Sequence, residues 1–405
     1  MSSKYRHNHY VPIWYQKRFI PPASKDKVLF YLDLKSPTYT DKRGVAHPRR
    51  NRYGPRQCFA ETDLYTTRFG AFESTEIEQV FFGEIDTKGR DAVDHFTNFD
   101  LQRPTGTNRD EAFHSLLIYL TTQKLRTPKG LDWLQKVVGT ENRNQTLIRM
   151  TNLHRIFAAI WTECIWQIAD ASNVNTKFLI TDHPVTCYNR SCGPEWCRRN
   201  CDPDIRFCGT HTIFPLSLDK ILILTNLSWV RNPYQDSRKL RPNPRLARSA
   251  IMNFMQVQNR RFFNEEEVKQ INFILKSQAL RYIAAGNPDW LYPESHVRKS
   301  DWARYGHGYL LMPDPRNVSF SGEFIMGFTD GSAIGFDEYG RRPWEKDYKQ
   351  RDGANEWNSF HRFRGEFARL FGPISRGRAM DSPDGWNDEY HQIVVRGEEF
   401  YKRQR

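Results

Sequence analysis

The stretch RDEAFHSLLIYLTTQKL, residues 109–125, constrains the fold more than any other part of the chain. Its apolar residues recur on most sides of a 3.6-residue period, so the helix it predicts must be surrounded by other elements. Pro128 disfavours helical geometry in the residue before it, so this helix ends near Thr127. The chain's 405 residues are enough to bury such a helix in one large domain or two ordinary ones. Hydrophobic residues make up 39% and aromatics 14%, so aromatics supply much of the core. No apolar run approaches the roughly eighteen residues of a membrane-spanning helix. The N-terminus lacks the apolar region of a secretory signal. The expectation is a soluble, cytoplasmic protein with no membrane partner, whose seven cysteines are thiols or metal ligands.

Around that helix, KVLFYLDL (27–34) alternates like a strand, and the basic segment 41–57 reads as a loop. Residues 74–96 read as a helix capped by Ser74, and 152–170 as a third, equally apolar helix. KFLIT (177–181) and KILILT (220–225) read as central strands. Asn264, Glu267 and Gly286 mark the start, the capping box and the end of a helix over 264–286. Residues 324–340 read as a hairpin turning at Asp330-Gly331. The last helix, 357–372, carries Trp357, Phe360, Phe363, Phe367 and Leu370 on one face, which needs a partner surface in the core or a second subunit. The predicted class is α+β: a helical N-terminal half packed on a small central mixed sheet, with a basic aromatic C-terminal extension of hairpin and helix. The core unit is expected over 1–290 and the extension over 291–405.

Charge points to an anionic partner. The net charge is +13, and the positive residues cluster in HPRRNRYGPR (47–56), SRKLRPNPRLARS (237–249) and the terminal YKRQR. Arginine predominates in the first two of these, and its planar fork suits phosphate. Basic clusters with aromatics between them fit nucleic acid.

Several polar residues fall where apolar ones are expected. On the helix over 74–96, Ile77, Val80, Phe81 and Glu84 fall on one stripe, so Glu84 is expected to face the core and to need a partner. Gln123 and Arg126 share a face at the end of the buried helix. Asp182, with His183 beside it, follows a central strand, and strand ends open onto clefts. Cys187, Cys192, Cys197 and Cys201 are irregularly spaced candidate zinc ligands, with Cys208 and His211 beyond them. In the opening stretch KYRHNHYVPIWYQKRF, the aromatics call for docking, and His7 and His9 lie on one side of an extended segment.

The stretches NHYVPIWYQKRF, IEQVFFGEID, LTTQKLRTP, FLITDHPVT and FPLSLDK occur in this order over roughly residues 8–225. In them the chain resembles a large bacterial family of unknown function whose members begin with a His-Tyr-Val-Pro signature. The resemblance implies no established activity. It implies that His9, Tyr10, Glu84, Gln123, Arg126, Asp182 and Pro184 are shared positions, and leaves His7 outside the motif. The expected site therefore joins His9, Glu84, Gln123, Arg126 and Asp182. The leading expectation is a nuclease, an effector of a phage-defence or toxin system, with a partner protein of that system or a second copy of the chain as further partners. Glu84 and Asp182 would hold Mg²⁺ or Mn²⁺ or act as acid and base, and His9 would be the general base or a third ligand. Arg126 would stabilise phosphorane charge, and Gln123 would orient water or substrate. The alternatives are a hydrolase or transferase acting on a nucleotide such as NAD, and a non-catalytic nucleic-acid-binding sensor.

Overall fold

The strand Lys220–Asn226 runs through the middle of the protein, and all but its first residue are buried. It pairs antiparallel with His211–Pro215 on one side and Cys164–Asp170 on the other. Thr186–Tyr188 extends the first edge. Val257–Phe262 runs parallel to Cys164–Asp170 at the other edge, making a mixed five-stranded sheet. This is a computed structural model, and it describes residues 6–36, 38–40, 44, 46–48, 50–69, 72–99, 109–197, 202–246, 257–307, 309–320, 322–327, 329–349 and 353–372.

Strand Cys164–Asp170 shows how the layers form. Successive side chains point to opposite faces. Trp166 packs on Phe96 and Phe113, from the helices Phe82–Thr97 and Arg109–Arg126. Ile165 belongs to a second apolar cluster with Tyr309, Met312, Phe360, Phe363 and Phe367. The sheet thus lies between the N-terminal helices and the helix Gly353–Phe371. That helix finds its partner surface in this chain. Phe360, Phe363 and Phe367 are buried, while Trp357 and Leu370 stay 37% and 64% exposed. The hairpin forms as Glu323–Gly327 and Ala333–Asp337, with Gly331 in the left-handed region at φ +82°.

The opening segment is docked, as its aromatics require. Tyr10, Val11, Tyr15 and Phe19 are buried. Strand His7–His9 pairs with Ala60–Thr62. In the helix Ile13–Lys17, Tyr15 stacks on Phe214 and donates to the Pro215 carbonyl at 2.5 Å. A second, antiparallel sheet joins Ile180–Thr181, Tyr282–Ala285, Leu29–Asp33 and Arg50–Tyr53.

The class is α+β, but several elements differ from the sequence expectation. Residues 152–170 are not one helix: a short helix, Ala158–Thr162, leads into strand Cys164–Asp170. Every residue of that strand is buried, so it shows no polar alternation and reads like a buried helix. The helix from Glu265 stops at Gln278 and gives way to strand Tyr282–Ala285 for the same reason. Gly286 is therefore no helix cap. A Cβ there would lie 2.4 Å from Pro21. Strands Ala46–Pro48 and Arg50–Tyr53 fall in the segment read as a loop. Ser74 ends a short strand, and a π-turn over Ile77–Phe81 precedes the helix Phe82–Thr97. KFLIT contributes only Ile180–Thr181 as strand.

Candidate functional site

The end of helix Arg109–Arg126 organises the polar interior. Thr127 leaves helical geometry at ψ 156° and caps the helix Pro128–Val138, accepting from the Gly130 amide. The two helices abut so closely that a Cβ on Gly130 would sit 2.0 Å from the Lys124 carbonyl oxygen. In the last turn before this break, the helical period puts side chains 123 and 126 on one side and 124, with 127 just beyond, on another.

On the first side, Arg126 is 1% exposed. It donates to Asp86 at 2.9 Å and, through Nε, to Gln123 Oε1 at 2.8 Å, and lies over the Phe82 and Tyr119 rings. Gln123 donates to the Tyr10 carbonyl at 2.8 Å, which ties the opening segment to this helix. Burial pushes the Glu78 carboxyl up to about 7, against the pull of Arg126. Gln123 and Arg126 are therefore brought together, as their spacing predicts, with Asp86 and Glu78 as acidic neighbours.

Glu84 is not part of this group. Its side chain is 70% exposed and pairs with Lys88 at 2.9 Å. The π-turn explains the difference. It inserts one extra residue, which rotates every later position by about 100°. Ile85 packs on the core instead, and Asp86 meets Arg126.

Asp182 is buried, and its carboxylate accepts from the backbone amides of Leu280, Arg281 and Tyr282 at 2.9, 2.6 and 2.8 Å. It fastens the turn before strand Tyr282–Ala285. Burial raises its pKa, opposed by these three bonds. Beside it, His183 receives a 2.8 Å contact from Thr127 Oγ1 at Nδ1, and its Nε2 lies 3.0 Å from Asp202. The Asp202 carboxylate only accepts, so the neutral ring carries its hydrogen on Nε2, facing Asp202, and Nδ1 accepts from the Thr127 hydroxyl. Lys124 and Lys129 also grip Asp202, Lys129 at 2.6 Å. Together these donors hold the Asp202 carboxyl well below its ordinary range.

His9 lies half-buried at the far end of strand His7–His9. Its Nε2 is 3.0 Å from the Arg56 carbonyl oxygen, and that of His7 is 3.4 Å from the same atom. The two rings meet edge to face at 5.0 Å. A carbonyl only accepts, so His9 carries its hydrogen on Nε2 and presents the lone pair of Nδ1. Burial lowers its pKa, which keeps it neutral. Arg56 also lines an open groove of 860 Å³ with Lys17, Lys27, Ile13 and Ile20. Among the described residues no carboxylate lines this groove, and Lys27 is held at φ +51°, a conformation side-chain-bearing residues seldom adopt.

Among the described residues, no group of three or more His, Cys, Asp or Glu side chains could hold a metal ion. His9, Glu84 and Asp182 each have the separate partners given above, so this donor set does not fit a shared Mg²⁺ or Mn²⁺. Cys187 and Cys192 are buried thiols. The Cys197 side chain and Cys201 lie outside the described residues, as does the terminal basic YKRQR. No helix among the described residues is long and apolar enough to cross a membrane.

Residues 155–289 match a family described as protein of unknown function, DUF4238. The match bears out the resemblance to a family of unknown function. The DUF4238 stretch contains Asp182, His183 and Asp202, while His9, Gln123 and Arg126 precede it. No curated protein and no solved structure matches the chain.

Sequence reasoning missed Asp86, Lys124, Lys129 and Asp202, and left His7 outside the site. Lys17, Lys27 and Arg56 were visible only as members of a basic composition. The helical spacing of Lys124 from Gln123 and Arg126 carried a usable signal, since a cation on that buried helix needs a counter-charge.

Proposed function

We propose that the protein binds a nucleic-acid strand along the groove beside helix Ile13–Lys17 and cleaves its phosphodiester backbone, with His9 as general base. One observation carries this reading. Three exposed cations, Lys17, Lys27 and Arg56, line a groove that has no carboxylate among its described residues, and the Arg56 carbonyl also anchors a neutral histidine with a free lone pair. Most other cations near the core are consumed by acidic partners. These three remain to neutralise phosphates. His9 Nδ1 would take the proton of the attacking hydroxyl or water, and His7 would return one to the leaving oxygen. Gln123, Arg126 and Asp182 act in this scheme as positioning residues. Gln123 fixes the Tyr10 carbonyl next to His9, Arg126 holds Gln123, and Asp182 fastens the turn before strand Tyr282–Ala285, so their polar atoms are spent on holding the fold.

The test is cleavage of labelled RNA and DNA, single- and double-stranded, by the purified full chain, with and without added Mg²⁺ or Mn²⁺. His9→Asn is expected to lower the rate by about 10²-fold or more, the usual contribution of a general base. Glu84→Gln should leave it unchanged. An intact panel, or full activity in His9→Asn, overturns the reading. Binding to the strand without cleavage would leave the groove as a nucleic-acid-binding module.

A further inference from the structure

A second cavity, of 370 Å³, opens where helix Pro128–Val138 faces the segment 202–206. Its size falls in the range of about 300–1,000 Å³ usual for small-ligand sites. Trp133, Phe157, Ile205 and Leu246 give it apolar walls, and the Trp133 and Phe157 rings lie 5.6 Å apart. The floor is polar. Lys124, Lys129, His183 and Asp202 reach it from three separate segments.

The charges on this lining do not cancel. Lys124 and Lys129 share one carboxylate, Asp202. Burial pushes the His183 pKa down to about 4, so this ring adds no charge at neutral pH. At the mouth, Arg206 and Asp204 neutralise each other through a two-pronged contact, at 2.6 Å for Nη2. Asp182 acts on Lys129 from behind the floor, where its carboxylate accepts from three backbone amides, and it does not line the cavity. Among the described residues, the lining itself thus carries one more positive charge than negative, on a floor that is 4% exposed at Lys129 and 8% at Lys124. Lys129 also donates to the Gln278 carbonyl at 2.8 Å and Lys124 to that of Val185 at 3.4 Å, but neutral carbonyls do not cancel the excess charge, and an entering anion does.

We infer that this cavity binds a flat ring system carrying one anionic group, with the nucleoside monophosphates as the biological class of that shape and charge. The ring lies against Trp133 and Phe157, and the phosphate reaches the two lysines beside Asp202. The site shares no residue with the groove, so it stands whether or not the groove cleaves a strand.

The experiment is calorimetric titration of the full chain with AMP, GMP, CMP and UMP, with the matching nucleosides and with inorganic phosphate, repeated on Trp133→Ala and Lys129→Met. At least one monophosphate should bind, its nucleoside about tenfold or more weakly. Trp133→Ala should weaken the monophosphate by a similar factor. Trp133 is only part-buried, so this variant keeps its fold where Lys129→Met fails to. No binding of any monophosphate at millimolar concentration overturns the inference. So does equal binding of nucleoside and monophosphate, or a Trp133→Ala variant that binds as tightly as the wild type.

Discussion

Arg126 and Arg56 carry the same guanidinium in two settings. Arg126 is sealed in the helical layer, where Asp86, Gln123 and two aromatic rings take up its donors and its face. Arg56 is exposed on a turn and lines a groove with two further exposed cations and, among the described residues, no acid. The first cation is committed to holding elements together. The second is left with its charge unspent. The contrast teaches that a polar residue in an apolar setting marks a requirement for a partner, which the fold itself often supplies. A cluster of like charges that the fold leaves uncompensated is the stronger sign of an external ligand.

The sharpest way to break the comparison is to remove the buried cation. Arg126→Met should leave Asp86 and Glu78 without their counter-charge and cost about 3–5 kcal/mol, read as a lower denaturant midpoint at constant m-value. Adding Asp86→Leu and Glu78→Gln should restore much of the loss, because the penalty lies in the stranded carboxylates. If Arg126→Met alone is as stable as the wild type, the cluster is not a folding device, and Arg126 returns as a candidate for substrate contact.

The next effect tests the break between helices next to the two polar groups. Gly130→Ala forces a Cβ onto the Lys124 and Leu125 carbonyls. It should destabilise by about 1–3 kcal/mol through backbone displacement. It should also weaken any ligand of the 370 Å³ cavity, since Gly130 lines it. An unchanged melting temperature would mean that the helices can separate freely.

These cases show how much was legible beforehand. Burial of Gln123, Arg126 and Asp182 followed from periodicity and position, and the docking of the opening segment from its aromatics. Glu84 was misplaced because a 3.6-residue period was carried across a π-turn, which leaves no mark in residue type. The strands Cys164–Asp170 and Tyr282–Ala285 were hidden because burial on both faces removes the alternation that identifies a strand. The groove was illegible because Lys17, Lys27 and Arg56 come from three separate segments. Only the folded chain shows that no described acid stands among them.

The acidic side of the Arg126 cluster predicts a pH dependence. Burial raises the folded-state pKa of Glu78 from 4.5 to about 7. The folded protein therefore holds more protons at this site than the unfolded chain between those values. This contribution is fully present below about 4.5 and is lost as pH rises toward 7, a change on the order of 1–3 kcal/mol. His183 works in the opposite direction. Its pKa falls to about 4, so stability gains from it as pH rises from about 4 toward its ordinary value of 6.5. The two trends overlap, so the observable is a difference. The stability of the wild type minus that of Glu78→Gln should decline between pH 5 and 7. A flat difference would place Glu78 in contact with water.

The smallest effect on stability belongs to the groove, and it separates the two settings most cleanly. Lys17→Ala, Lys27→Ala and Arg56→Ala together remove three exposed side chains for which the described residues supply no carboxylate, so the melting temperature should not move measurably. Binding of a single strand should respond differently. Each phosphate contact on a single strand contributes about 0.7 to the slope of log affinity against log salt, so losing three should make that slope shallower by about 2. Affinity should fall most at low salt and least at high salt, where the wild-type advantage is already screened. A triple variant with reduced stability would show that these cations, like Arg126, are spent on the fold. A stable variant with an unchanged salt slope would remove the groove from the binding surface and leave the positive charge to act elsewhere on the chain.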